Sequence, residues 1–237
     1  MNATKKSARV AGFLYLLLVL TAPIGLMYVP GKLIVRGNAT ATATNILASQ
    51  SLFRMGIVSG LVSAVISIFL GLALYRLFKG VNQQHASLMV ILVLSQIPIA
   101  FLNEVNSLAA LIILRGADFL SLFEKPQRDA LAMLFLNLHG QGIIVSEIFW
   151  GLWLFPFGLL VFRSGFLPRI LGLWLIVNGF AYRTISFTGL LLPQYQRTVS
   201  NIAFPALLGE MAIMLWLLIM GAKPKPLADS ASASAGV

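Results

Sequence analysis

Gly56-Ile-Val-Ser-Gly-Leu-Val-Ser-Ala-Val-Ile-Ser-Ile-Phe-Leu-Gly-Leu-Ala-Leu-Tyr75 contains no charged residue. A helix needs roughly 20 such residues to cross about 30 Å of hydrocarbon. The stretch also carries two columns of small side chains. Ser59, Ser63, Ser67 and Gly71 recur every four residues, and Gly56, Gly60 and Ala64 run beside them. Small residues let helices approach closely in lipid, where no hydrophobic force drives them together. The columns fit packing inside one bundle and also fit a dimer interface, so the oligomeric state stays open.

Five further segments read the same way, giving spans of about 10–29, 56–75, 88–114, 142–162, 170–192 and 202–220. Over the 237 residues, 59% are hydrophobic and 10% charged, with a mean hydropathy of +0.91. A soluble domain carries about 25% charged residues, so this chain cannot cover its apolar side chains in water. Disorder needs low hydrophobicity and is excluded as well. In lipid the backbone must satisfy its own hydrogen bonds, which makes such runs helices. A transmembrane barrel would show alternating segments of about ten residues, which are missing. The fold class is all-α, a polytopic membrane bundle with six transmembrane helices over residues 1–222. The remainder, 223–237, is rich in Pro, Ala and Ser and is expected to be a disordered cytoplasmic tail.

The first span follows a basic start, Lys5, Lys6 and Arg9, and is longer than the apolar core of a signal peptide. It reads as uncleaved. Loops on the side of the termini hold nine basic residues and one acid, Asp229. Loops on the other side hold seven basic residues offset by Asp118, Glu124 and Asp129. The excess predicts cytoplasmic termini. The net charge of +10 therefore belongs to loops between spans, and nucleic acid is not an expected partner. The lipid bilayer is.

Two outer loops are long. Pro30–Phe53 contains Ala39-Thr-Ala-Thr-Ala-Thr44, read as low complexity, and Asn45–Phe53 is expected as a short interfacial helix. Within Arg115–Gln141, apolar Leu131, Leu134, Phe135 and Leu138 recur at helical spacing. That part either lies on the membrane or extends the fourth helix outward, so the start of the fourth span stays open. Asp118, Glu124 and Asp129 could hold a cation loosely, but nearby Arg115, Lys125 and Arg128 favour ordinary surface pairing.

Charges in hydrocarbon cost about 3 kcal/mol each, yet Glu104, Glu147, Arg183 and Glu210 fall within spans. At 1.5 Å per residue each sits roughly 8–15 Å below the outer end of its helix. Four independent helices thus place ionisable groups at similar depth. The expectation is one polar cluster among spans three to six, open to the outside. Asn103, Asn106, Ser107 and Gln96 accompany Glu104, Asn178 precedes Arg183, and His139 with Gln141 caps the cluster. Arg183 is expected as counter-ion. The other two carboxyls then need a proton or a cationic ligand. The candidate ligand-binding set is Glu104, Glu147, Arg183, Glu210, Asn103, Asn178 and His139.

Motifs of catalysis are missing. No Gly-x-Ser-x-Gly elbow, phosphate-binding loop or paired His motif occurs, and Cys is absent. No catalytic residue, metal ligand set or cofactor is assigned. The resulting expectation is a non-enzymatic protein whose intramembrane polar pocket serves transport or sensing of a small solute, a proton or a lipid head group. Two alternatives stay open: an accessory subunit whose buried charges only pin helices, and an intramembrane enzyme.

Phe149-Trp-Gly-Leu-Trp-Leu154 and Phe162-Arg-Ser-Gly-Phe-Leu-Pro-Arg-Ile-Leu-Gly172 form the most distinctive part of the chain. Together with Ala8-Arg-Val-Ala-Gly-Phe-Leu-Tyr15 and Gly209-Glu210, they resemble a family of bacterial integral membrane proteins known as domain of unknown function 4386. The resemblance covers most of residues 5–221. It implies a bundle of about six spans in the bacterial inner membrane and brings no activity or cofactor with it. The Arg163–Arg169 turn has its own physical reading. Ser164-Gly165 releases one helix and Pro168 opens the next, which predicts a tight hairpin between spans four and five.

Overall fold

A computed structural model describes residues 3–222. The tail 223–237, with the orientation residues Lys223 and Lys225, lies outside the described residues. Six helical stretches are long and apolar enough to cross a membrane, and no strand occurs among the described residues.

α1 (Ala3–Pro23) runs through a π-helical turn, Ile24–Tyr28, into the short α2 (Val29–Leu33). Pro23 has no N–H to return to the preceding turn, and the wider turn begins directly after it. α3 (Ala39–Ala48) leads into α4 (Gln50–Phe78), and α5 (Gln83–Arg115) returns. α6 (Lys125–Leu152) continues as α7 (Leu154–Arg163), followed by α8 (Arg169–Leu191) and α9 (Gln196–Ile219). The α6–α7 break at Trp153 has a local cause. Pro156 cannot donate to the Leu152 carbonyl. Trp153 fills the corner by stacking on Phe157 at 5.3 Å.

The structure resolves the two long loops. Ala39–Thr44 is helical and belongs to α3, so the helix lies earlier than Asn45–Phe53. Asn38 caps it by accepting from Ala41 N at 2.9 Å, and Thr42 Oγ1 accepts from Val35 N at 2.9 Å. Repetition of Ala and Thr reads as low complexity, but Ala is the best helix former and the cap supplies the start. Asn38→Ala is expected to cost about 1 kcal/mol and to speed amide exchange at Ala41–Ala43; unchanged protection there contradicts this role. The second long loop is the outward extension of the fourth helix. Lys125–Arg163 spans 39 residues, about 58 Å at the helical rise, roughly twice the hydrocarbon thickness. Its start carries a capping box from Glu124 and Gln127, and Lys125 pairs with the buried Asp129 at 2.8 Å.

Apolar side chains gather in two clusters. One lies toward the termini and draws on every span, including Ala11, Leu74, Phe78, Met89, Phe157, Leu175 and Leu217. The other lies at the distal end, built from Val29, Ile46, Phe53, Leu111, Ala132 and Leu136. The small-residue columns pack within the bundle. Ser59 Oγ donates to Thr21 O at 2.6 Å, and Ser63 Oγ lies 2.8 Å from Thr21 Oγ1, fastening α4 to α1. Arg9 donates to Ile219 O at 3.3 Å, so the first and last spans meet at the terminal end.

α7 and α8 form the expected hairpin. Gly165 takes a φ of +71°, which favours glycine, and Ser164 Oγ accepts from Leu167 N at 3.2 Å. Two glycine pairs hold α8 against the fourth span, Gly158 of α7 against Gly172 and Gly151 at the end of α6 against Gly179. A Cβ at Gly158 would lie 2.7 Å from Gly172 O, and one at Gly172 would lie 2.6 Å from Gly158 O.

Candidate functional site

The polar residues of the spans lie between the two apolar clusters. On α5, Glu104 falls between Val93 of the terminal cluster and Ala110 of the distal one. On α6, His139 and Glu147 follow distal Leu136 and precede terminal Trp153. Asn178 and Glu210 lie just beyond the terminal cluster on α8 and α9. This middle layer divides into two groups rather than forming one.

The first group joins α4, α5 and α6. Asn103 Nδ2 donates to His139 O at 3.1 Å. His139 Nδ1 lies 3.1 Å from Asn103 O and 3.1 Å from Ser107 Oγ. A carbonyl only accepts, so the hydrogen of this bond sits on Nδ1. Glycines seat the polar side chains of α5. A Cβ at Gly60 would collide with the Glu104 carboxyl, and one at Gly142 would collide with the Asn103 amide. Val29, Leu33, Ile57, Ser107 and His139 surround Glu104 at a cavity of about 30 Å³. That volume suits a single water and is far below the roughly 300–1,000 Å³ of small-molecule sites.

The second group joins α1, α8 and α9. Tyr15 Oη donates to Glu210 Oε2, and Tyr182 and Asn178 stand against the same carboxyl. Tyr15 is 1% exposed and Asn178 0%. Asn178 Nδ2 donates to Leu207 O at 3.3 Å, while its Oδ1 has no hydrogen-bond partner. Glu147 reaches this group electrostatically through Tyr182. Its Oε2 and the Trp216 indole N–H are also buried without a partner. Buried polar atoms are nearly always hydrogen-bonded, so these three atoms, with Arg128 Nε as a fourth among the described residues, mark unused hydrogen-bonding capacity.

Arg183 stands outside both groups and makes no ion pair with Glu104, Glu147 or Glu210. The expectation of a counter-ion is corrected here. The guanidinium lies over Phe155 at 4.3 Å and over Phe180 at 5.0 Å, and Phe180 is 56% exposed on the outer surface of the bundle. Ring quadrupoles offer a desolvated cation a favourable alternative to a carboxylate. Equal depth had suggested a shared cluster, but depth does not fix the direction a helical side chain takes. Gln96 and Gln141 make no hydrogen bond with either group.

Tyr15 and Tyr182 emerge as central to the Glu210 group. Tyr15 sits close to the start of its span, where a tyrosine reads as interfacial; its complete burial is what reveals its role. Among the described residues, no three His, Asp or Glu side chains gather to hold a metal ion. Acceptors, phenols and an imidazole are present, and they can exchange protons and order water.

No curated protein and no solved structure matches the chain. The family model described as a domain of unknown function (DUF4386) matches residues 10–221, and the chain belongs to that family.

Proposed function

We propose that this protein exchanges protons within the membrane, in transport or in sensing, through Glu104 and Glu210. The observation that carries this reading is three intramembrane carboxyls with no cation partner among the described residues. Electroneutrality in hydrocarbon then requires protons or a small cation. The cavity at Glu104, about 30 Å³, favours a proton or water over a larger solute. His139 and Ser107 would relay a proton near Glu104; Tyr15 and Tyr182 would do so at Glu210. In this reading the protein sits in the inner membrane with both termini cytoplasmic, and the Glu104 cavity belongs to the outer half.

A structural role is the second reading. It is favoured by the Glu210 carboxyl, which ties α1 to α9 through Tyr15. Glu104→Gln and Glu210→Gln separate the two. Full-length protein is reconstituted in vesicles loaded with a pH-sensitive dye, and a proton gradient is imposed. Transport predicts flux above that of empty vesicles, reduced at least tenfold in either variant with folding intact. Sensing predicts background flux with proton binding retained. Loss of folded protein in both variants favours the structural role.

A further inference from the structure

At the distal end, the turn after α2 and the first turns of α9 face one another across a groove of about 610 Å³. Arg36 contributes from the turn, and Arg197, Ser200 and Asn201 from α9, with Gln196 beside them. Every charged side chain lining the groove is basic, and none is acidic. Neither arginine makes an ion pair, hydrogen bond or ring contact among the described residues. Two arginines from segments distant in sequence therefore line one groove with no counter-charge among the described residues.

The geometry points to a phosphate-bearing anion held between Arg36 and Arg197. Two exposed charges of one sign lining one groove raise the local concentration of anions there. Guanidinium is the side chain best matched to phosphate, because its planar fork donates two parallel hydrogen bonds. The Ser200 hydroxyl and the Gln196 and Asn201 amides add neutral donors, and the volume falls within the range of small-molecule sites. The surrounding field has the same sign: seven basic residues against three acids occupy the loops of this end, and Asp129 is committed to Lys125. The groove lies where the first apolar stretch ends and the last begins, which in a bilayer is the level of the head groups. The phosphate can thus belong to an anionic lipid or to a free solute. This site is independent of the carboxyl groups.

The test uses full-length protein in phosphatidylcholine nanodiscs and compares wild type with Arg36→Gln/Arg197→Gln. Inorganic phosphate is titrated in one arm. In the other, nanodiscs contain phosphatidylglycerol, and retained lipid is counted by native mass spectrometry. The double variant is expected to lose at least tenfold in affinity in one arm, and each single variant severalfold. A loss confined to the first arm assigns a free phosphate, and one confined to the second assigns a lipid head group. Equal behaviour of wild type and double variant in both arms overturns the site. If the double variant does not fold, Arg36→Lys/Arg197→Lys replaces it. That pair keeps both charges but loses the fork, and severalfold weaker binding is expected; unchanged affinity overturns the assignment.

Discussion

Gly158→Ala is expected to destabilise the protein by about 3 kcal/mol, the upper end of the range for overpacking. The added methyl would sit 2.7 Å from the Gly172 carbonyl oxygen and 2.8 Å from Ile176 Cγ1. Ile176 can rotate, but the carbonyl is fixed in the α8 ladder. The helices must separate, and that strips contacts along the whole hairpin. Gly172→Ala meets Gly158 O at 2.6 Å and Phe162 N at 2.7 Å, both backbone atoms, and is expected to be as damaging. Gly80→Ala is the control, since nothing lies within 4 Å of its Cβ position. It should be neutral or slightly stabilising, by up to about 1 kcal/mol. Unfolding of the purified protein in detergent measures all three. A Gly158→Ala protein as stable as Gly80→Ala contradicts the close packing of α7 on α8.

Glu210→Ala carries the second large effect. It leaves the Tyr15 phenol, buried to 1% exposure, without its acceptor, and removes the carboxyl from Tyr182 and Asn178. An orphaned buried donor costs about 1–3 kcal/mol, and more than one is created, so a loss of about 3 kcal/mol is expected. Glu210→Gln keeps an oxygen that accepts from Tyr15, and should cost about 1 kcal/mol or less. Tyr15→Phe is expected to fall between them. The same unfolding measurement ranks the three. Equal damage from Gln and Ala would mean that the carboxyl charge, and not its hydrogen bonds, holds α1 to α9.

Sequence reading reached the architecture because lipid leaves few options. An apolar stretch such as Gly56–Tyr75 must be a helix, and six such stretches give the bundle. The Ser164–Pro168 turn was legible for a similar local reason: Gly165 and Pro168 each allow few backbone conformations. Side-chain direction was not legible. Glu104 and Glu210 do face the interior, but toward different helices. Arg183 shares their depth and turns to Phe155 and Phe180 instead. Those two aromatics lie in different helices, and nothing in their spacing announces a cation between them. Gly60 and Gly142 looked like ordinary small residues; their role as seats for Glu104 and Asn103 depends on partners from α5. α3 was hidden by composition, because Ala39–Thr44 satisfies the description of a repeat and of a helix at once.

The central claim is that Glu104 and Glu210 exchange protons in the folded protein. Infrared difference spectroscopy of the full-length protein in a lipid film, stepped between acidic and alkaline buffer, tests it most directly. Protonated carboxyl groups show a C=O stretch separate from the amide bands; the exposed Asp118 and Glu124, and the buried Asp129 paired with Lys125, supply a background common to all variants. Part of this band change is expected to disappear in Glu104→Gln and a further part in Glu210→Gln, with the amide bands unchanged. A difference spectrum identical in wild type and both variants would contradict it and leave the carboxyls as structural links between helices.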